Sequence, residues 1–196
     1  MRDEALSIIV CGSSAATNVV PYLTWLRQEV DLPVRILLTH SAERFVSAQV
    51  MAWYADEVHT SADPALNPTE LARRSLGLVV LPATAHTLAA AALGLAGSPA
   101  QTALLANERP ALFFPSMNRS MWVKPSMRRH VATLRTDGHT VVDPQEGPVF
   151  ELWKRENAMG ISLLPPDVVT ELIIAWLENG QPDETADDLA GAAELS

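Results

Sequence analysis

The chain alternates short apolar runs with segments of helical character, and this alternation limits the fold more than any other feature. The apolar runs span residues 6–10, 34–39, 76–81 and 111–114, with a shorter one at 57–59. Each of the longer runs has the length and side chains of a buried strand. Strands that alternate with helices pair in parallel through right-handed crossovers, and helices cover both sheet faces. The sequence therefore predicts an α/β fold with a three-layer αβα arrangement.

Length and composition predict one α/β domain over residues 1–180, followed by an acidic, mobile tail at 181–196. A chain of 196 residues with 48% hydrophobic residues suits a single large core. No apolar run approaches the roughly 20 residues that cross a bilayer, and the N-terminus lacks the architecture of a signal peptide. We therefore expect a cytoplasmic protein without a membrane partner.

The net charge of −9 argues against a nucleic-acid partner. Part of that charge comes from the tail, yet the rest of the chain is acidic as well. Residues 119–135 are an exception, because this run is basic and contains no Asp or Glu. Such a run usually forms a solvated helix face, but beside a site it could attract a carboxylate or a phosphate.

Two predicted strands are followed by turns that are typical of ligand sites. Gly12, Ser13 and Ser14 come between the first strand and the first helix, where backbone N–H groups can hold an anion. The fourth long strand stops at Pro115 and is followed by two methionines, an asparagine and a tryptophan. Apolar side chains past a strand end often line a ligand site in open α/β sheets. A loop packed beneath a helix is the alternative interpretation.

Two segments resemble motifs of the flavin-dependent cysteine decarboxylase family. Residues 115–122, Pro-Ser-Met-Asn-Arg-Ser-Met-Trp, resemble its Pro-x-Met-Asn-x-x-Met-Trp signature. Residues 81–87, Leu-Pro-Ala-Thr-Ala-His-Thr, resemble its Pro-Ala-Ser/Thr-x-Asn-Thr motif, with His86 in place of asparagine. The resemblance covers residues 7–144 and is strongest to lantibiotic decarboxylases, which act on a peptide's C-terminal cysteine. Phosphopantothenoylcysteine decarboxylases belong to the same family.

The resemblance implies a Rossmann-like (flavodoxin-like) sheet and a bound flavin, usually FMN, with FAD left open. It also implies a homotrimer that assembles into a homododecamer, with the flavin between subunits. The residues that it assigns to the cofactor are Gly12, Ser13, Ser14, Thr39, Ser41, Phe45, Pro82, Ala83, Thr84, Ala85 and His86. Those that it assigns to the substrate are Met117, Asn118, Arg119, Met121, Trp122 and Trp153. We take His86 and Asn118 as the candidate catalytic residues.

The implied reaction is oxidative decarboxylation of the C-terminal cysteine of a ribosomally made precursor peptide. Its enethiol product is then used to form aminovinyl-cysteine. Relatives in coenzyme A synthesis re-reduce the enethiol with a cysteine near the C-terminus, whereas the only cysteine here is Cys11. Two alternatives stay open: a phosphopantothenoylcysteine or other small-thiol decarboxylase, and a catalytically inactive flavin-binding regulatory subunit.

Two departures from the family pattern bear on catalysis. Lantibiotic decarboxylases carry an essential histidine where this chain has Pro68, which can neither move a proton nor hydrogen-bond a thiol. His86 either takes over some proton handling or only donates a hydrogen bond to the flavin or the backbone. His59 is a weaker candidate for proton transfer.

Residues 145–160 correspond to a substrate clamp of the family, centred here on Trp153, with a plain surface hairpin or loop as the alternative. No metal site is predicted, because the histidines have no ligand spacing and no carboxylates cluster with them. The chain also lacks a Gly-x-Ser-x-Gly elbow and a full Gly-x-Gly-x-x-Gly fingerprint. An enzyme of this sequence would therefore need a bound cofactor.

Overall fold

The computed structural model describes residues 4–151 and 155–179, and it contains a six-stranded sheet in which every neighbouring pair is parallel. The strand order is β3-β2-β1-β4-β5-β6. The strands are β1 (Ala5–Val10), β2 (Val34–Leu38), β3 (Glu57–Thr60), β4 (Ser75–Ala83), β5 (Ala111–Pro115) and β6 (Thr140–Val141). This is the Rossmann order, so the predicted fold class is confirmed.

Side chains of the central strands alternate between two hydrophobic cores, one on each sheet face. In β1, Leu6, Ile8 and Val10 point to one core, while Ile9 points to the other. The strand period of two residues requires this alternation, and burial on both faces explains why the strands read as continuous apolar runs.

Helices cover both faces. They are α1 (Val19–Glu29), α2 (Ala48–Met51), α3 (Pro68–Arg73), α4 (Ala85–Ala92), α5 (Pro99–Ala106), α6 (Arg119–Trp122), α7 (Pro125–Thr136) and α8 (Pro166–Asn179). Buried residues of α1 and α8 belong to the first core, and those of α3, α4, α5 and α7 belong to the second. Within the described ranges, no helix is both long enough and apolar enough to cross a membrane.

The structure settles how the first helix begins. A 3-10 turn, Ser14–Asn18, precedes α1, so Pro21 lies in the first turn of the α-helix. Proline is tolerated there, because the first N–H groups of a helix have no partner within it. The α-helix therefore begins only at Val19, after the 3-10 turn, and Pro21 does not kink it.

The structure defines two segments that the sequence left open. Residues 119–122 form the short helix α6 instead of a loop. Residues 145–162 form an antiparallel hairpin from β7 (Gln145–Glu151) and β8 (Glu156–Ser162), which is separate from the main sheet. The hairpin geometry matches the plainer of the two interpretations of residues 145–160, while its role as a clamp stays a prediction.

Candidate active site

An open cleft of about 1970 Å³ lies beyond the carboxyl ends of the central strands. Its walls come from the turns after β1, β2, β4 and β5, together with part of the β7–β8 hairpin. The order in which strands are added changes side between β1 and β4: β2 and β3 lie on one side of β1, and β4, β5 and β6 lie on the other. In parallel sheets a ligand crevice forms at this switch point.

The turn after β1 packs tightly against the turn after β2. A Cβ atom added to Gly12 would lie 2.3 Å from Cβ of Ser41. Ser13 Oγ accepts a hydrogen bond from the N–H of Ala15 at 3.2 Å and lies 2.8 Å from Ser116 Oγ. The first turn is therefore anchored to the turn after β5, across the centre of the cleft.

The turn after β2 places Thr39, Ser41 and Phe45 on the cleft wall. Ser41 precedes a 3-10 turn but does not cap it, because its backbone is already helical and its side chain makes no capping bond. Thr39 Oγ1 instead accepts from the N–H of Ala42 at 3.3 Å and donates to the carbonyl of Val10 at 3.2 Å. Its hydroxyl thus connects the two turns.

The turn after β4 contributes Thr84, Ala85 and His86 to the cleft. Thr84 caps α4 by accepting from the N–H of Thr87 at 3.3 Å. Pro82 and Ala83, which were assigned to the cofactor, do not line the cleft. They are the last residues of the buried strand β4, where their side chains are enclosed by protein.

Gln101 is a site residue that the sequence interpretation missed. Its side-chain amide contacts Nε2 of His86 at 3.0 Å and accepts from the N–H of Gly97 at 2.8 Å. Ser98, the N-cap of α5, stands three residues before Gln101, with Pro99 at the first helical position. That spacing is a capping-box pattern, and it was the available signal that Gln101 turns back toward the start of its helix.

The segment after β5 supplies residues 116–121 to the cleft wall. Asn118 occupies the N-cap position of α6 but makes no capping bond with its side chain. Arg119 Nε donates to Glu146 Oε1 at 3.0 Å, which ties α6 to the hairpin. Met117 and Met121 also line the cleft, and Met121 is 43% exposed.

The assignment of Trp122 to the substrate is wrong, so residues 115–122 do not all face the substrate. Trp122 is 9% exposed and packs in the second core instead of lining the cleft. The short helix α6 turns successive side chains by about 100°, so Met121 and Trp122 cannot face the same side. Tryptophan is large enough to anchor α6 to the core.

The hairpin contributes Val149 and residues 159–163 to the rim of the cleft. Arg119 and Glu146 join it to α6 through an exposed ion pair. Trp153, the residue on which the clamp prediction centres, lies outside the described residues. Its assignment to the substrate stays a prediction.

The position of the family histidine is occupied by a structural turn. Asn67 caps α3, accepting from the N–H groups of Thr69 and Glu70, and Pro68 is the first residue of that helix. His59 does not line the cleft. Its Nδ1 lies 2.8 Å from a carboxylate oxygen of Asp63, and this hydrogen bond lowers the pKa of Asp63.

Cys11 lines the floor of the cleft, but its thiol is buried. The sulfur lies 3.1 Å from the hydroxyl of Thr87. Burial raises the pKa of the thiol to about 11, although hydrogen bonds with the side chain of Thr87 and the backbone of Thr84 act in the opposite direction. At neutral pH the group is therefore a protonated thiol, and a thiol is a poor nucleophile.

Comparison with known proteins identifies relatives over most of the chain. A family model described as Flavoprotein matches residues 1–178. Mersacidin decarboxylase of Bacillus sp. (strain HIL-Y85/54728) is 30% identical over 170 residues, which is 85% of this chain and 87% of that protein.

Solved structures agree with these relatives. A variant of EpiD in complex with the substrate peptide DSYTC superimposes with a TM-score of 0.80 at 25% identity, covering 86% of this chain and 97% of that one. SpaF, described as an FMN-dependent cysteine decarboxylase, gives a TM-score of 0.71 at 30% identity and covers 88% of this chain and 96% of its own.

Proposed function

Because the chain belongs to the Flavoprotein family, we propose that it is an FMN-dependent decarboxylase of the C-terminal cysteine of a ribosomally made precursor peptide. The product would be an enethiol used to form aminovinyl-cysteine. The observation that carries the proposal is the single cleft that unites the turn at residues 12–14, the turn at 84–86 and the Met117–Asn118 step. In sequence, 69 residues separate the first segment from the second, and 30 residues separate the second from the third.

The residues present fit a flavin mononucleotide. The first turn offers small residues and hydroxyls, and a side chain at Gly12 has no room, which suits the close approach of a phosphate to the backbone. We assign the phosphate to Gly12, Ser13 and Ser14. We assign the flanks of the ring system to Thr39, Ser41 and Phe45 on one side and to Thr84, Ala85 and His86 on the other.

A bound flavin supplies a two-electron acceptor, which side chains cannot provide. Removal of two hydrogens, one from Cβ and one from the thiol of the terminal cysteine, leaves a thioaldehyde. The thiocarbonyl then accepts the electron pair that is released when the Cα–carboxylate bond breaks. Carbon dioxide leaves, and protonation at sulfur gives the enethiol.

The protein's own residues bind and orient this substrate. Asn118 has no capping bond to satisfy, so its amide is available to the terminal carboxylate. Arg119 brings positive charge to the same corner, although its guanidinium is paired with Glu146. Met117 and Met121 offer apolar, polarisable surface to the cysteine side chain.

The state of Cys11 supports the peptide reaction over the small-thiol alternative. Relatives in coenzyme A synthesis re-reduce the enethiol with the help of a cysteine, whereas the only cysteine of this sequence is buried with a pKa of about 11. An enzyme whose reaction ends at the enethiol suits a pathway in which the enethiol is the required product.

We also propose that the active assembly is a homotrimer within a homododecamer. Phe45, Leu95 and Met121 support this, since they line the cleft yet remain exposed in the single chain. Exposed apolar groups beside a ligand site suit coverage by another subunit. Light scattering of the purified protein measures the assembly.

We place the reaction in the cytoplasm, where ribosomal peptides are made.

The test is incubation of the FMN-loaded protein with a synthetic peptide ending in cysteine. The expected product is lighter by about 46 Da, the mass of CO2 and two hydrogens, which is the change for a two-electron oxidation coupled to decarboxylation. The same peptide ending in serine is expected to stay unchanged. Asn118→Ala is expected to lower turnover at least tenfold, while Asn179→Ala, at the exposed end of α8, serves as the matched control.

The outcomes separate the alternatives. Turnover of phosphopantothenoylcysteine without turnover of any peptide would indicate the small-thiol enzyme. A protein that binds FMN stoichiometrically and turns over neither substrate would indicate the regulatory subunit. Failure to bind any flavin would overturn the proposal as a whole.

A further inference from the structure

The amide of Gln101 lies between a backbone N–H group and an imidazole nitrogen. Its Oε1 is 2.8 Å from the amide nitrogen of Gly97, and its Nε2 is 3.0 Å from Nε2 of His86. Both Gln101 and His86 line the cleft, but Gln101 is only 9% exposed, whereas His86 is exposed. The amide is therefore a largely buried group at the cleft wall, in direct contact with the exposed imidazole.

The partner chemistry fixes which way the amide faces. A backbone N–H can only donate, so the atom of Gln101 that meets Gly97 must be the carbonyl oxygen. The NH2 group then points at His86. An NH2 group can only donate, and so the Nε2 atom of His86 must be the acceptor and carry no proton.

A neutral imidazole without a proton on Nε2 carries its proton on Nδ1. We propose that Gln101 is a positioning residue that holds His86 as the neutral Nδ1–H tautomer, so that His86 is a hydrogen-bond donor in the cleft and not a base. The tautomer follows from the hydrogen bonds alone, and only its meaning for catalysis rests on the proposed function. It selects the donor role from the two that the sequence left open for His86.

The start of helix α5 keeps Gln101 in place. Ser98 Oγ accepts from the N–H of Gln101 at 3.4 Å, and Pro99 fixes the backbone of the first helical position. If Nε2 of His86 carried a proton, its N–H group and the NH2 group of Gln101 would both be donors and would repel each other. Gln101 could relieve this only by turning its amide over, which would set its NH2 group against the N–H of Gly97.

The spectroscopic test uses full-length, FMN-loaded protein with histidine labelled with 15N in the ring. The chain has five histidines, and His86→Asn identifies the signal of His86 by its loss. Magic-angle-spinning NMR at pH 8 is expected to show a neutral ring protonated on Nδ1, whatever the size of the assembly. A proton on Nε2, or an equal mixture of the tautomers, would overturn the proposal.

Gln101→Glu is the sharpest variant, because a carboxylate still accepts from Gly97 but can only accept from His86. The proton is expected to move to Nε2 of His86, or the ring to become charged. Gln101→Leu removes both bonds, and is expected to give a mixture of tautomers. An Nδ1–H signal that persists in both variants would show that another group sets the tautomer.

A double-mutant cycle links the tautomer to catalysis. Gln101→Glu is expected to lower kcat about tenfold, the lower end of what losing the orienting partner of a histidine costs. In a His86→Asn background the same change is expected to alter kcat by less than about twofold, because the residue through which it acts is gone. Equal losses in both backgrounds would mean that Gln101 is merely structural.

The two proposals can fail separately. An Nδ1–H ring in a protein that decarboxylates no substrate would leave the tautomer assignment standing and overturn the function. Decarboxylation by a protein whose His86 carries its proton on Nε2 would leave the function standing and overturn the tautomer assignment.

Discussion

Gly12 and Ser41 lie so close together that the two turns of the cleft have no space for a side chain between them. A Cβ atom on Gly12 would be 2.3 Å from Cβ of Ser41 and 2.6 Å from its carbonyl carbon. Real Cβ atoms do not approach backbone so closely, and the backbone of Ser41 cannot rotate away as a flexible side chain could. This contact packs the two turns together on the β1–β2 side of the cleft.

Gly12→Ala is therefore expected to destabilise the protein by about 1–3 kcal/mol, the usual cost of overpacking, and to weaken FMN binding. Denaturant unfolding and flavin titration measure the two effects. Gly147→Ala is the matched control, because its added Cβ would meet only Ser162 Oγ, at 3.8 Å. Normal FMN affinity in Gly12→Ala would show that the first turn does not hold the cofactor.

Neighbouring residues of α6 are expected to have opposite roles. Trp122→Ala removes a core side chain and is expected to cost about 3–5 kcal/mol of unfolding free energy. Met121→Ala changes a residue that is 43% exposed and lines the cleft, so we expect a stability change within about 0.5 kcal/mol and a higher KM for the peptide. Equal stability losses in the two variants would contradict this division.

The Cys11 thiol is expected to be inert in the native protein. Because burial raises its pKa to about 11, a thiol reagent at pH 8 should label it only after unfolding. The unfolded thiol has a pKa near 9.0, so the folded state binds more protons above that value, and this group makes stability fall as pH rises from about 9 to 11. Rapid labelling of the native protein would restore the small-thiol alternative.

His139 is expected to make the fold sensitive to mild acid. Its Nδ1 accepts from the N–H of Ala111 at 2.9 Å, its ring packs edge-on against Phe113, and burial lowers its pKa below the ordinary value of 6.5. Because the unfolded chain takes up the proton first, this group makes stability decline as pH falls below 6.5.

The measurement is urea unfolding of the wild type and of His139→Asn at pH 8 and pH 5.5. The wild type should lose more unfolding free energy between the two pH values than the variant does, since both share every other titrating group. Parallel losses would show that His139 does not govern the acid response.

Much of the site could be predicted from sequence because parallel strands impose it. Once residues 6–10, 76–81 and 111–114 are strands of one parallel sheet, the segments that follow them must meet at the same edge. Gly12, His86 and Asn118 therefore come together by topology alone, and all three line the cleft. Motif resemblance added the identity of the ligand, which periodicity does not contain.

The sequence by itself determined the two-sided sheet, because its continuous apolar strands can be buried only between two helix layers. Tertiary structure alone decided which side chains of each turn reach the cleft. Thr39 caps its turn in place of Ser41, Trp122 faces the core beside the exposed Met121, and Gln101 meets His86 from another helix. These outcomes depend on helix phase and on how elements pack, which are fixed by contacts between residues far apart in the chain and leave no local pattern.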